Sequence, residues 1–92
     1  MYKVRSTKTY RKAHKRISQH KNFEEDVLNE IIDTLARGEK LEAKYQDHQL
    51  SGELQEYREC HIQHNLLLEY QKHDDILVLL LINIGTHDDL FH

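Results

Sequence analysis

Proline and tryptophan are absent from this 92-residue chain, and cysteine occurs once, as Cys60. Without a proline, a low-complexity stretch or an internal repeat, nothing marks a linker or a repeat array. The length accommodates one domain, residues 1–92. A lone cysteine excludes an internal disulfide and agrees with a reducing, cytoplasmic setting. Long apolar runs are missing too. The longest, Ile76 to Ile82, falls far short of the roughly 20 residues that a spanning helix needs, so no membrane segment is expected. Met1 to Arg16 is basic and polar, without the apolar stretch of a secretory signal. So short a chain buries a small core, which argues against a deep cofactor pocket and makes an open surface groove the expected kind of site.

Acidic residues are missing from one end. Residues 1–22 hold eight of the 13 Lys and Arg (Lys3, Arg5, Lys8, Arg11, Lys12, Lys15, Arg16, Lys21) and no Asp or Glu. All 16 acids follow, so the net charge of −3 conceals a basic block. Such a block suits a polyanionic partner, or equally a solvated helix face.

Met1 to Arg5 reads as a short strand. From Ser6, a plausible N-cap, the pattern turns helical, with Tyr10, Ala13, His14 and Ile17 on one side and Lys8, Arg11, Lys12, Lys15 and Arg16 on the others. Asn22 and Glu25 have the spacing of a capping box. Phe23, Val27, Leu28, Ile31, Ile32 and Leu35 then make one apolar stripe, and Gly38 can take the left-handed conformation that ends the helix. Tyr45 to Gly52 reads as a loop. Leu54 to Ile62, Leu66 to Gln71 and Ile76 to Ile84 read as strands, with Lys72 to Asp75 as the last hairpin turn. Ile76 to Ile82 is apolar on both faces and predicts a central strand. The expected fold class is α+β, two N-terminal helices on one face of a mainly antiparallel sheet of about four strands.

Eight histidines remain to be explained. His14, His20, His73 and His92 fall in helical, hairpin or terminal surroundings and share no site. His48, His61, His64 and His87 cluster around the strands. Chance surface placement is one reading of these four. A metal site is another, but adjacent strand residues face opposite ways, so Cys60 and His61 do not easily share an ion, and no compact ligand motif is present. The third is metal-free cleavage of RNA, which carries its own nucleophile in the 2′-hydroxyl. Histidine suits both proton transfers because its pKa of about 6.5 lies near working pH.

Three stretches bear on the choice: Asp47-His48-Gln49-Leu50-Ser51-Gly52, Tyr57-Arg58-Glu59-Cys60-His61-Ile62, and Gly85-Thr86-His87-Asp88-Asp89-Leu90-Phe91. In this order, after two helices, they resemble the YafQ-like branch of the RelE/ParE toxin superfamily, over essentially the whole chain. The resemblance implies a RelE-like fold and a toxin of a type II toxin–antitoxin system, a ribosome-dependent endoribonuclease that cuts mRNA and is neutralised by a cognate antitoxin. It implies no cofactor and no metal. His48, His61 and His87 become the candidate catalytic residues, with Phe91 as an RNA contact or as a terminal aromatic packed on the sheet. Lys8, Arg11, Lys12, Lys15 and Arg16 become candidate contacts to ribosomal RNA. The default assembly is a monomer that joins a larger complex with antitoxin.

Two departures stand against the pattern. Asn65 occupies a place where the family often has aspartate, and Asn83 one where it usually has arginine. Loss of a cation at the scissile phosphate would cost on the order of 2.7–4 kcal/mol, roughly a hundredfold or more in rate. Asn65, Asn83 and Arg58 are nonetheless candidate RNA contacts by the resemblance, and His64 and Arg58 are the available substitutes for the missing charge, although an odd step along a strand separates Arg58 from His61. A rival reading is therefore a degenerate toxin that only binds and autoregulates with its antitoxin. A gyrase-directed toxin of the wider superfamily is a third, against which the histidine set argues.

Overall fold

The computed structural model describes residues 1–91, apart from the side chain of Phe91. The elements run β1 (Lys3–Ser6), α1 (Lys8–Ile17), α2 (Glu25–Ala36), β2 (His48–Gln49), β3 (Arg58–Gln63), β4 (Leu66–His73), β5 (Val78–Gly85) and α3 (His87–Phe91), with single 3-10 turns at Ala43–Tyr45 and Gly52–Leu54. The fold is α+β, as expected, but the sheet has five strands in the order β1-β5-β4-β3-β2. It is mixed, because β1 pairs in parallel with β5 while the other pairings are antiparallel. The third helix and the strand at His48 were not anticipated.

Both longer helices cover one face of the sheet. Tyr10 and Ala13 of α1, and Leu28, Ile31, Leu35 and Ala36 of α2, pack on Cys60, Ile62, Leu68, Tyr70, Leu79, Leu81 and Ile84. This follows from the two periodicities: the helical stripes meet the alternate residues of β3 and β4 that point to one side, and Leu79, Leu81 and Ile84 of β5, where a register shift between Leu81 and Asn83 interrupts the alternation. The other side carries Glu59, His61, Leu67, Glu69 and Gln71, and it is this face that positions the site.

The caps differ from those expected. Ser6 ends β1, and Thr7 caps α1, its hydroxyl accepting from Tyr10 N at 2.9 Å and donating to Ile82 O at 2.7 Å. That second bond ties α1 to β5. At α2 the cap residue is Glu24, without a side-chain cap bond. Gln63 of β3 replaces the capping box, accepting from Glu24 N at 2.9 Å and donating to the Asn22 carbonyl at 3.0 Å. Glu25 is instead engaged by His14, whose Nε2 lies 3.0 Å from both of its carboxylate oxygens. Gly38 does end α2, with φ +78°.

The apolar run Ile76 to Ile82 is divided. Val78 begins β5, while Ile76 (65% exposed) and Leu77 (49% exposed) lie in the β4–β5 turn, Leu77 with φ +53°. Antiparallel pairing needs a connection between the strands, and here it falls on residues 74–77, because Lys72 and His73, expected in the turn, still belong to β4 and pair with Leu79 and Val78. β5 sits between β1 and β4, so it is interior, whereas β4 occupies the middle of the sheet.

Candidate active site

The register carries one row of side-chain positions across four strands. His48 of β2 opposes Glu59 of β3, Glu59 opposes Glu69 of β4, and Glu69 opposes Asn83 of β5. Directly opposed residues share a face and hold their Cβ atoms about 4.5–5.5 Å apart. His61 lies two residues farther along β3, on the same face and roughly 6.5 Å on. Its ring meets that of His87, the first residue of α3, at a centroid separation of 6.2 Å and an interplanar angle of 68°. The face away from α1 and α2 therefore gathers His48, His61 and His87.

The His48 ring is oriented by its own loop. Nδ1 lies 2.8 Å from the Gln46 carbonyl oxygen, which can only accept, so Nδ1 carries a hydrogen. Nε2 is the other ring nitrogen, and it stands 3.3 Å from Glu59 Oε1. Glu59 is 3% exposed and Glu69 8% exposed, two carboxyl groups buried side by side. Burial, and then the neighbouring Glu59 charge, push the Glu69 carboxyl above the ordinary glutamate range. Glu59 and Glu69 were not singled out from the sequence. The available signal was Glu69 itself, a carboxylate inside the apolar run Leu66 to Tyr70.

Asp47 and His48 are neighbours that serve opposite faces. Asp47 accepts from the Tyr70 hydroxyl and from Arg58 Nη2 at 3.0 Å. Arg58 Nε also donates to the Tyr70 oxygen at 3.3 Å. This network lies on the helix-covered side and pins the residue before His48. Arg58, an expected RNA contact, is therefore not brought together with the histidines; it anchors the loop that presents one of them.

Asn65 sits in the β3–β4 turn with φ +54°, a left-handed conformation that asparagine tolerates better than most residues. It shares an open cavity of 680 Å³ with His61, His64, Lys44 and Gln46. Asn83 accepts from its neighbour Ile84 N at 2.8 Å and lines a smaller cavity of 340 Å³ with Lys12 and Arg16 of α1. Lys8, Arg11, Lys12, Lys15 and Arg16 are all exposed. Lys3 and Arg5 of β1, in register with Val78 and Leu80, add cations on the histidine side of the sheet. The expected Phe91 contact concerns a side chain outside the described residues.

Residues 2–92 match the family described as a bacterial toxin of type II toxin–antitoxin system, YafQ. The chain belongs to the YafQ toxin family. A copper-bound mutant toxin from Helicobacter pylori is 36% identical, with a TM-score of 0.91 over 99% of this chain and 100% of that one. A metal-bound toxin from the same organism is 34% identical, with the same TM-score and coverage. The YafQ fold of the E. coli DinJ-YafQ toxin–antitoxin complex matches with a TM-score of 0.84 at 26% identity, over 99% of this chain and 98% of that one. No curated protein sequence matches the chain significantly.

The metal named for the Helicobacter pylori toxins finds no ready counterpart in these residues. Among the described residues, no group of three or more His, Cys, Asp or Glu side chains is arranged to hold an ion. Cys60 is fully buried on the helix side, where burial pushes its thiol far above the usual range. One His48 nitrogen is already committed to the Gln46 carbonyl.

Proposed function

We propose that this YafQ-family toxin is a ribosome-dependent endoribonuclease that cuts mRNA without a metal and is neutralised by a cognate antitoxin. The observation that carries the reading is the gathering of His48, His61 and His87 on one open sheet face. Two protonation-competent groups on either side of a phosphate are what cleavage by an internal 2′-hydroxyl needs.

The 2′-oxygen attacks phosphorus as one histidine takes its proton. The bond to the 5′-oxygen breaks, and a second histidine supplies the proton that this leaving group requires. The products are a 2′,3′-cyclic phosphate and a free 5′-hydroxyl. RNA lies along the histidine face, with Arg5 and Lys3 at its margin and Lys44 and His64 in the cavity beside His61. Lys12 and Arg16, next to Asn83, replace from α1 the charge that residue 83 itself lacks. Lys8, Arg11 and Lys15 extend the cationic surface toward ribosomal RNA, with salt-dependent affinity. The chain acts as a single domain in the cytoplasm. Among the described residues no helix is long and apolar enough to cross a membrane. It is a monomer alone and joins its antitoxin in a larger complex, as the DinJ-YafQ pair does.

The test is induction of the chain and of His87→Ala in bacterial cells, with mRNA 5′ ends mapped by primer extension. Cuts inside translated regions that vanish in His87→Ala are expected. Identical profiles at equal protein levels would refute the nuclease and leave an antitoxin-binding module.

A further inference from the structure

The catalytic face has a feature that proton transfer by histidines alone leaves unused. Among the described residues, Glu59 Oε2 is buried with no hydrogen-bond partner, while Oε1 faces His48 Nε2 at 3.3 Å. A buried carboxylate oxygen without a donor is costly, and the neighbour across the strands is a second buried carboxyl, Glu69. Two adjacent buried carboxyl groups do not both ionise readily, and one proton between them satisfies the bare oxygen.

We infer that Glu69 is a positioning residue of this site: as a neutral carboxylic acid it donates to Glu59 Oε2 and keeps Glu59 an anion directed at His48. Glu59 in turn holds the His48 ring through Nε2, while the Gln46 carbonyl holds Nδ1. The inference rests on the nuclease reading for its catalytic consequence, but the shared proton is a property of the folded chain alone. Among the described residues, these groups surround the pair. His48 faces it from β2 and Asn83 from β5, His61 follows on β3, and Gln71 follows on β4. Arg5 of β1 stands one row away, level with Leu80. His87, Asp88 and Asp89 belong to α3, which packs against β4 and β5. Burial and the Glu59 charge both favour the neutral form of Glu69.

Two variants separate positioning from simple packing. Glu69→Gln keeps a neutral donor for Glu59, and Glu69→Leu keeps the volume but removes the donor. Infrared spectroscopy of the natural protein at neutral pH should show a protonated-carboxyl carbonyl band that Glu69→Gln and Glu69→Leu both lack. Cleavage on translating ribosomes should survive in Glu69→Gln and fall about tenfold or more in Glu69→Leu, a loss of about 1.4 kcal/mol in the barrier. Absence of the band in the natural protein overturns the shared proton. Equal rates in the natural protein and Glu69→Leu overturn the positioning role. If the natural chain cuts no RNA, the band still decides the proton, and the ¹⁵N shifts of His48 in Glu69→Leu decide the positioning: unchanged shifts refute it.

Discussion

Tyr70→Phe removes one oxygen from the network that joins Tyr70, Arg58 and Asp47, and its effect can be worked out from the contacts. The Tyr70 ring is 1% exposed and belongs to the core, so the phenylalanine retains the buried area and shape. What is lost is the hydroxyl that donates to Asp47 and accepts from Arg58. Burial and the Asp47 charge raise the pKa of that hydroxyl, so it remains a donor across the working pH range. A hydrogen bond to a charged partner contributes about 1.5–3 kcal/mol. Asp47 keeps Arg58 at 3.0 Å, which places the expected loss toward the lower end, about 2 kcal/mol. In a domain of this size that corresponds to a fall of about 8–16 °C in melting temperature. Urea unfolding followed by circular dichroism measures it, with the slope unchanged if only the native contact is affected. Cleavage should also fall, because Asp47 fixes the loop that presents His48. A change within about 0.5 kcal/mol, the range of an ordinary surface substitution, would refute the argument that this network anchors the loop.

Glu69 predicts a pH dependence of stability with a definite sign. Its carboxyl is raised above the ordinary value of 4.5 in the folded state, so the folded chain holds this proton more tightly than the unfolded chain. Its contribution is therefore fully present below the ordinary value and is lost as pH rises through the raised folded value. Glu69→Gln should be more stable than the natural protein at about pH 8 and show a flatter profile above 4.5; denaturation midpoints across that range check it, and parallel profiles would count against it. Lys12→Ala with Arg16→Ala should weaken ribosome binding and reduce the slope of log K against log salt by roughly 1.4–1.8, if each side chain meets one phosphate. Binding measured at several salt concentrations with an unchanged slope would remove both residues from the RNA interface.

The helical half of the fold was legible because its signals are local. The stripe from Phe23 to Leu35 and the glycine at 38 define α2 within a single window of sequence, and tertiary structure altered only the cap, where Gln63 displaced Asn22 and His14 claimed Glu25. The strands were legible as segments but not as a sheet. Nothing local specifies that β1 pairs in parallel with β5, or that Ile76 and Leu77 turn outward.

The same distinction divides the site. His48, His61 and His87 were found through ordered stretches that can be read along the chain, whereas Glu59 and Glu69 acquire meaning only when β2, β3 and β4 are set in register. Arg58 illustrates how far strand parity reaches: an odd step from His61 puts it on the opposite face, and its contacts with Asp47 and Tyr70 bear this out. Asn65 shows what parity misses. Compared with an aspartate it is a lost charge, but its φ of +54° makes it a turn residue first. Asparagine and aspartate are both suited to that conformation, so the backbone accounts for one or other of them at position 65 but does not choose the amide over the carboxylate. Under the proposed nuclease reading, the missing charge has to come from elsewhere. Asn83 is a different case: it stands in β5 beside the register shift at Ile82, and the cations bordering its cavity, Lys12 and Arg16, come from a different element. A residue set in a left-handed turn and one set beside cations of another element look alike in sequence, and only the fold tells them apart.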